Sequence, residues 1–152
     1  MMEKNVSAIS AIVTGAGSGI GKAIATKLAL SGYAVLVNDL SQERAQVVVD
    51  EIRAAGGVAA AKAGDVSSEA DVAAIHASAI DAHGAVGLLV NNAGYGASQP
   101  FAKMTAEHWN QMLGINLSGV FYGVSQLGWY IETFYDLIAS CEELSLLFSI
   151  QQ

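Results

Sequence analysis

The chain has 152 residues, 53% of them hydrophobic, with one cysteine and a formal net charge of −7. That length suits one domain able to bury a core without disulfides or metals, and the apolar excess excludes disorder for most of its length and suggests strands covered on both faces. The negative charge leaves no basic footprint for nucleic acid, Cys141 alone forms no internal disulfide, and Met1 to Val6 lacks the layout of a secretory signal, so a cytoplasmic setting is expected.

Ala8 to Val13 is a short apolar run suited to a buried strand, and Lys22 to Leu30, free of Gly and Pro, suits a helix. Between them stands Thr14-Gly15-Ala16-Gly17-Ser18-Gly19-Ile20-Gly21, a glycine-rich strand-to-helix turn. Residues without Cβ let a ligand approach the backbone there, and the free N–H groups of the helix's first turn suit a phosphate. Gly21 also lets the helix lie close on the strand. Loops with three glycines also arise from plain turn geometry, so the neighbours have to supply the rest.

Ser31-Gly32 stops the helix, and Tyr33 to Asn38 is a second apolar strand ending on Asp39. Asp39 lies eighteen positions after Gly21, close to the roughly twenty-residue offset at which an acid reads the adenosine ribose of a dinucleotide. A carboxylate there repels a 2′-phosphate, so NAD is favoured over NADP; Arg44, which weakens that preference, is expected in solvent. Ser41 caps a helix with Ala45, Val48, Val49 and Ile52 on its buried face, closed by Gly56-Gly57. Val58 to Ala63 is read as a strand although alanine is a poor strand former. Asp65-Val66 follows, serving either as a helix-start acid or as a contact for the edge and face of an adenine.

A helix from Ser68 to Ala82 places Val72, Ile75 and Ala79 on one face. His76 and His83 are expected in solvent, far from any cluster at ligand spacing, so no metal site is expected. Val86 to Val90 reads as a parallel strand breaking into Asn91-Asn92-Ala93-Gly94, where small residues let a cofactor pass and the asparagine amides tie the strand end to its neighbours. Tyr95 to Met104 is a loop, Thr105 caps a helix, and a further helical stretch from Ile115 carries Asn116, which as a structural residue is a buried asparagine bonded to a helix carbonyl. The uncharged run Gln111 to Ile131 is interrupted by Asn116, Ser118, Ser125, Gln126 and glycines, so it is read as a helix buried in a soluble core rather than a membrane span.

In order and spacing the glycine loop, Asp39, Asp65-Val66, Asn91-Asn92-Ala93-Gly94 and Asn116 resemble the short-chain dehydrogenase/reductase family over about residues 7–126. The resemblance implies an α/β fold with a Rossmann-type doubly wound parallel sheet, here truncated to strand order 3-2-1-4, and NAD(P)-dependent oxidoreduction of an alcohol or carbonyl. It implies that Gly15, Ser18, Gly19, Ile20 and Gly21 line the pyrophosphate, Asp39 the ribose, Asp65 and Val66 the adenine, and Asn92, Ala93 and Gly94 the middle of the cofactor. Asn116 takes the place of the family's catalytic asparagine, which holds a water relaying protons to a lysine. The implied partners are the dinucleotide, a small alcohol or carbonyl in full-length relatives, and a second copy in a homo-oligomer.

The family continues with a serine and a Tyr-x-x-x-Lys element, and neither is found here. The residues four after Tyr33, Tyr95, Tyr122, Tyr130 and Tyr135 are Val37, Gln99, Gln126, Phe134 and Ala139, and no Lys or Arg follows Lys103. Residues 1–126 thus read as an incomplete dinucleotide-binding domain, poorly active alone, or as a non-catalytic nucleotide-binding or protein-interaction module. Residues 127–152 form a separate tail whose apolar positions Leu127, Tyr130, Phe134, Leu137, Cys141, Leu144 and Phe148 fall on one stripe of a helix. An out-of-frame or alternatively spliced origin is preferred for it over a helix covering the sheet or mediating dimerisation. With nothing following it in the sheet, the strand Val86 to Val90 is expected to be an exposed apolar edge, which favours self-association.

Overall fold

The computed structural model describes residues 9–96 and 100–127. The tail read as an amphipathic helix lies, from residue 128 onward, outside the described residues.

Four parallel strands form the sheet: β1 (Ser10–Val13), β2 (Ala34–Asp39), β3 (Val58–Ala63) and β4 (Val86–Val90), in spatial order β3-β2-β1-β4. This is the expected 3-2-1-4 order. Register runs Val13 beside Val37 and Val90, and Asp39 beside Ala63. Side chains alternate across the pleat, so β1 and β2 build two cores at once. Ala11, Val13, Val35 and Val37 pack under α1 (Gly19–Leu30) and α2 (Gln42–Ala54), while Ile12 and Leu36 pack with Ile75 and Ala79 of α3 (Glu69–His83). Burial on both faces explains the high apolar content.

Side-chain caps set the helix starts. Ser41 accepts from the Arg44 amide, Ser68 from the Asp71 amide, and Thr105 from the His108 amide at the head of α4 (Ala106–Leu113). β3 forms despite its alanines because all six of its residues pair with β2, and Ala59 is buried beneath α2; pairing outweighs propensity here. Within the loop expected from Tyr95 to Met104, Phe101–Lys103 makes one 3₁₀ turn.

Three expectations need correction. His76 is buried, because Val72, Ile75, His76 and Ala79 together make the i, i+3, i+4, i+7 stripe that faces the sheet. His83 is half-buried rather than solvated. The stretch after α4 is neither one regular helix nor wholly buried: Gly114–Ser118 forms a π-helical turn before α5 (Gly119–Gln126), and Leu117 and Phe121 are 64% and 68% exposed. Only the face holding Gly119 and Gly123 is buried in α5; a Cβ at Gly119 would stand 3.0 Å from the Val66 carbonyl oxygen. Among the described residues β4 pairs with β1 alone, and no helix is long and apolar enough to cross a membrane.

Candidate functional site

Chain crossovers leave β1 toward β2 on one side and β4 on the other, so a crevice opens at the carboxyl ends of β1 and β4, where open parallel sheets place ligands. A groove of about 610 Å³ occupies that crevice. It is lined by Gly15, Ser18, Gly19, Ile20 and Gly21 from the glycine turn, Asp39 and Arg44 after β2, Asp65 and Val66 after β3, and Asn92, Ala93 and Gly94 after β4. With Ile115 also on the lining, segments up to a hundred residues apart in sequence thus meet around one space.

The glycine turn is built by close approach. Gly15 and Gly19 have φ of +62° and +55°, which side chains with a Cβ rarely adopt. A Cβ at Gly21 would overlap the Asn92 side-chain amide and lie 2.5 Å from the Gly15 carbonyl oxygen, so glycine brings α1 down onto the strand ends. Ser18 is extended and its side chain makes no cap bond, and the first turn of α1 has no acid. The positive end of the α1 dipole and the amides of its first turn are therefore presented to the groove, the nearest internal anion being Asp39 on the Gly17 amide just ahead of the helix.

Asp39 is buried beside the glycine turn. Its Oδ2 accepts from the Gly17 amide at 3.1 Å, and its Oδ1 accepts from the Ser41 amide at 3.0 Å and from Arg44 Nε and a terminal Arg44 nitrogen at 3.0 and 2.5 Å. The acid is thereby fixed at the groove rather than turned into the core. Asp65 Oδ1 accepts from the Ser67 amide and hydroxyl at 2.8 and 2.7 Å, and the Asp65 amide donates to Asp71 Oδ2 at 2.9 Å, so the turn after β3 is tied to the start of α3.

At the tip of β4, Asn92 Nδ2 donates to the carbonyl oxygens of Thr14 and Gly15 at 2.9 and 3.2 Å. Thr14 Oγ1 accepts from the Asn92 and Ala93 amides, both at 3.1 Å. These bonds clamp the glycine turn to the β4 tip. Asn116 does not itself line the groove but lies behind Gly94 and Tyr95, which do. It is exposed rather than buried, and its side chain spans the Tyr95 backbone, accepting from the amide at 2.9 Å and donating to the carbonyl at 2.7 Å. It thus fixes the loop beyond Gly94 at the groove's end. The π-helical turn that carries it had no signal in the sequence; such turns recur at functional sites.

Three residues were missed or undervalued. Thr14 was read only as the first letter of the glycine turn, although its hydroxyl joins β1 to the β4 tip. Gly17 was not singled out, yet a Cβ there would lie 2.5 Å from Asp39 Oδ2. Arg44, expected in solvent, is bonded to Asp39. An arginine five residues after the acid, in the first turn of α2, was the available signal.

A family model described as short chain dehydrogenase matches residues 10–131. A cyclohexanol dehydrogenase of Acinetobacter sp. (strain SE19) is 43% identical over 115 residues, covering 75% of this chain and 46% of that enzyme. A 7alpha-hydroxysteroid dehydrogenase of Escherichia coli (strain K12) is 43% identical over 117 residues, covering 77% and 45%. Among solved structures, a hydroxysteroid dehydrogenase from Escherichia coli superposes with a TM-score of 0.74 at 42% identity, covering 78% of this chain and 50% of that one. A metagenomic short-chain oxidoreductase in complex with NADP gives 0.73 at 37% identity, covering 77% and 53%. The chain spans about half the length of the curated relatives it matches.

Proposed function

The chain belongs to the short-chain dehydrogenase family, and from that premise we propose that its groove is the NAD site of an oxidoreductase acting on an alcohol–carbonyl pair. The observation that carries this reading is the pairing of uncapped α1 amides with Asp39 fixed beside them at the edge of the same groove. A diphosphate suits the first and a ribose diol the second. Gly15, Ser18, Gly19, Ile20 and Gly21 are assigned to the pyrophosphate, Asp39 to the ribose, Asp65 and Val66 to the adenine, and Asn92, Ala93 and Gly94 to the middle of the cofactor. The bound nicotinamide supplies hydride chemistry; the protein supplies position and charge.

NAD is preferred to NADP because the buried acid disfavours a second phosphate beside it. Asn116 is assigned the place of the family's catalytic asparagine, acting through the loop it holds. Residues 1–126 are proposed to be the dinucleotide-binding unit, in a cytoplasmic protein.

A second reading, a nucleotide-binding or protein-interaction module without catalysis, is favoured by one specific feature: no Lys or Arg follows Lys103 within these residues. A tyrosine phenol with its usual pKa near 10 is a poor base at neutral pH unless a cation stands beside it. Binding without turnover is therefore the expected behaviour of residues 1–152. Calorimetry should show NAD and ADP-ribose binding, weakened about tenfold or more by Asp39→Ala, with no NADH oxidation in the presence of small ketones. Folded protein giving no heat with either ligand removes the cofactor reading. Steady NADH oxidation abolished by Asn116→Ala removes the binding-only reading.

A further inference from the structure

Val66, assigned above to the adenine, lines the groove and is yet only 8% exposed, because the buried face of α5 packs against it. The contact is made at Gly119. A Cβ there would stand 3.0 Å from the Val66 carbonyl oxygen, 3.1 Å from its Cγ2 and 3.2 Å from its Cβ. Beside it, a Cβ at Gly114 would stand 3.3 Å from the Cβ of Ser67. Two glycines five residues apart thus rest on one short turn. Five residues of an α-helix make about 1.4 turns and end on different faces. Here the Gly119 amide donates to the Gly114 carbonyl, the i→i+5 ring of the π-helical turn, which brings the second glycine back above the first. Neither glycine lines the groove.

We infer that Gly119, seated by the π-helical turn, is a positioning residue for the nucleotide base: it fixes how far Val66 stands into the groove. The inference rests on the dinucleotide reading above and adds to it the residue behind the base contact. A Cβ added at Gly119 meets a backbone carbonyl and a branched Cβ, neither of which swings aside by a rotamer change. Helix α5 is anchored on both sides of that position. Before it, Asn116 on the π-helical turn is bonded to the Tyr95 backbone; after it, Gly123 lies against Leu89 and Asn91. In front of Val66 there is open groove, so the displacement goes to Val66. A purine's two rings reach farther along that wall than a pyrimidine's one, and a displaced Val66 therefore excludes adenine before uracil.

ADP and UDP share the diphosphate and the ribose and differ in the base, so the ratio of their affinities isolates the base contact. Calorimetry of residues 1–152 should show the parent chain preferring ADP, with Gly119→Ala weakening ADP about tenfold and UDP about twofold. Gly114→Ala, a looser contact on the same turn, should lower the ratio about threefold, and it decides the matter alone should Gly119→Ala fail to fold. Gly123→Ala is the control. Its Cβ would meet Asn91 Oδ1 at 2.8 Å and Leu89 Cδ2 at 3.1 Å, so it strains the same helix against β4 instead of Val66. A merely structural role follows the closeness of contact, so Gly123→Ala would lower the unfolding temperature and the ratio most. Positioning predicts a ratio within about twofold of the parent's in Gly123→Ala, whatever its unfolding temperature. A ratio that stays at the parent value in Gly119→Ala and Gly114→Ala, one that falls as far in Gly123→Ala, or a parent chain that binds ADP no better than UDP overturns the inference. If the parent chain binds neither nucleotide, the dinucleotide reading itself falls; if it binds ADP and only the ratio fails to move, this inference falls alone.

Discussion

Backbone and acid are fitted most tightly at Gly17. Its amide donates to Asp39 Oδ2, and a Cβ added there would lie 2.5 Å from that oxygen and 2.9 Å from Arg44 Cβ. Gly17 is not among the glycines with positive φ, so space rather than conformation demands glycine. Gly17→Ala should therefore push the Asp39 carboxyl off its seat and, because Arg44 Cβ is fixed to the backbone of α2, also force the turn and that helix slightly apart. The expected outcome is a folded chain with a lowered unfolding temperature and with NAD bound about tenfold more weakly, the loss of roughly one charge-assisted hydrogen bond. An unchanged NAD affinity would show that the position of Asp39 does not matter to the ligand.

Helix α3 carries the clearest departure from expectation at the scale of elements. His76 lies on its sheet-facing stripe with Nε2 buried and unbonded, and burial lowers its pKa below the usual imidazole value. Above a pH of about 6.5 both folded and unfolded chains hold a neutral imidazole. Below it the unfolded chain takes up a proton that the folded chain refuses, so stability falls as pH drops toward the depressed folded value, by at most about 1.4 kcal/mol per pH unit from this group. Thermal unfolding compared between pH of about 7.5 and 5.5 should show a smaller loss in His76→Leu than in the parent chain. Equal losses would place the acid sensitivity elsewhere.

That histidine also marks how far the elements were legible. The spacing of Val72, Ile75 and Ala79 located the buried face of α3, and the same spacing includes position 76, but a polar residue type was allowed to outweigh its position. β3 was legible through its flanks, a Gly-Gly stop before and an acid-led helix start after, even though its alanines argue for helix. The π-helical turn at Gly114–Ser118 left no periodic trace, because one extra residue in one turn changes no composition. In the groove, Asp39 and Asn92 were legible from their offsets after the glycines and at a strand end. The bonds of Thr14 and Arg44 depend on how separate strand ends meet, which no local pattern encodes.

For the molecule as a whole, the sheet order decides where chemistry can occur. Because β2 and β4 flank β1, the turns after β1, β2, β3 and β4 converge at one end, and the helix that follows β1 aims its amino terminus into the space between them. The half of the family's length present here includes that convergence, and its groove is defined by residues from Gly15 to Ile115. The central claim is that the leading amides of α1 receive a diphosphate. Backbone amide shifts of the labelled chain, followed during titration with ADP-ribose, test it most directly. The account predicts saturable shifts at Ser18, Gly19 and Ile20, accompanied by shifts at Asp39 and Val66, with Val47 and Asp50 on the far side of α2 unmoved; saturable binding that leaves Ser18, Gly19 and Ile20 unshifted would contradict it.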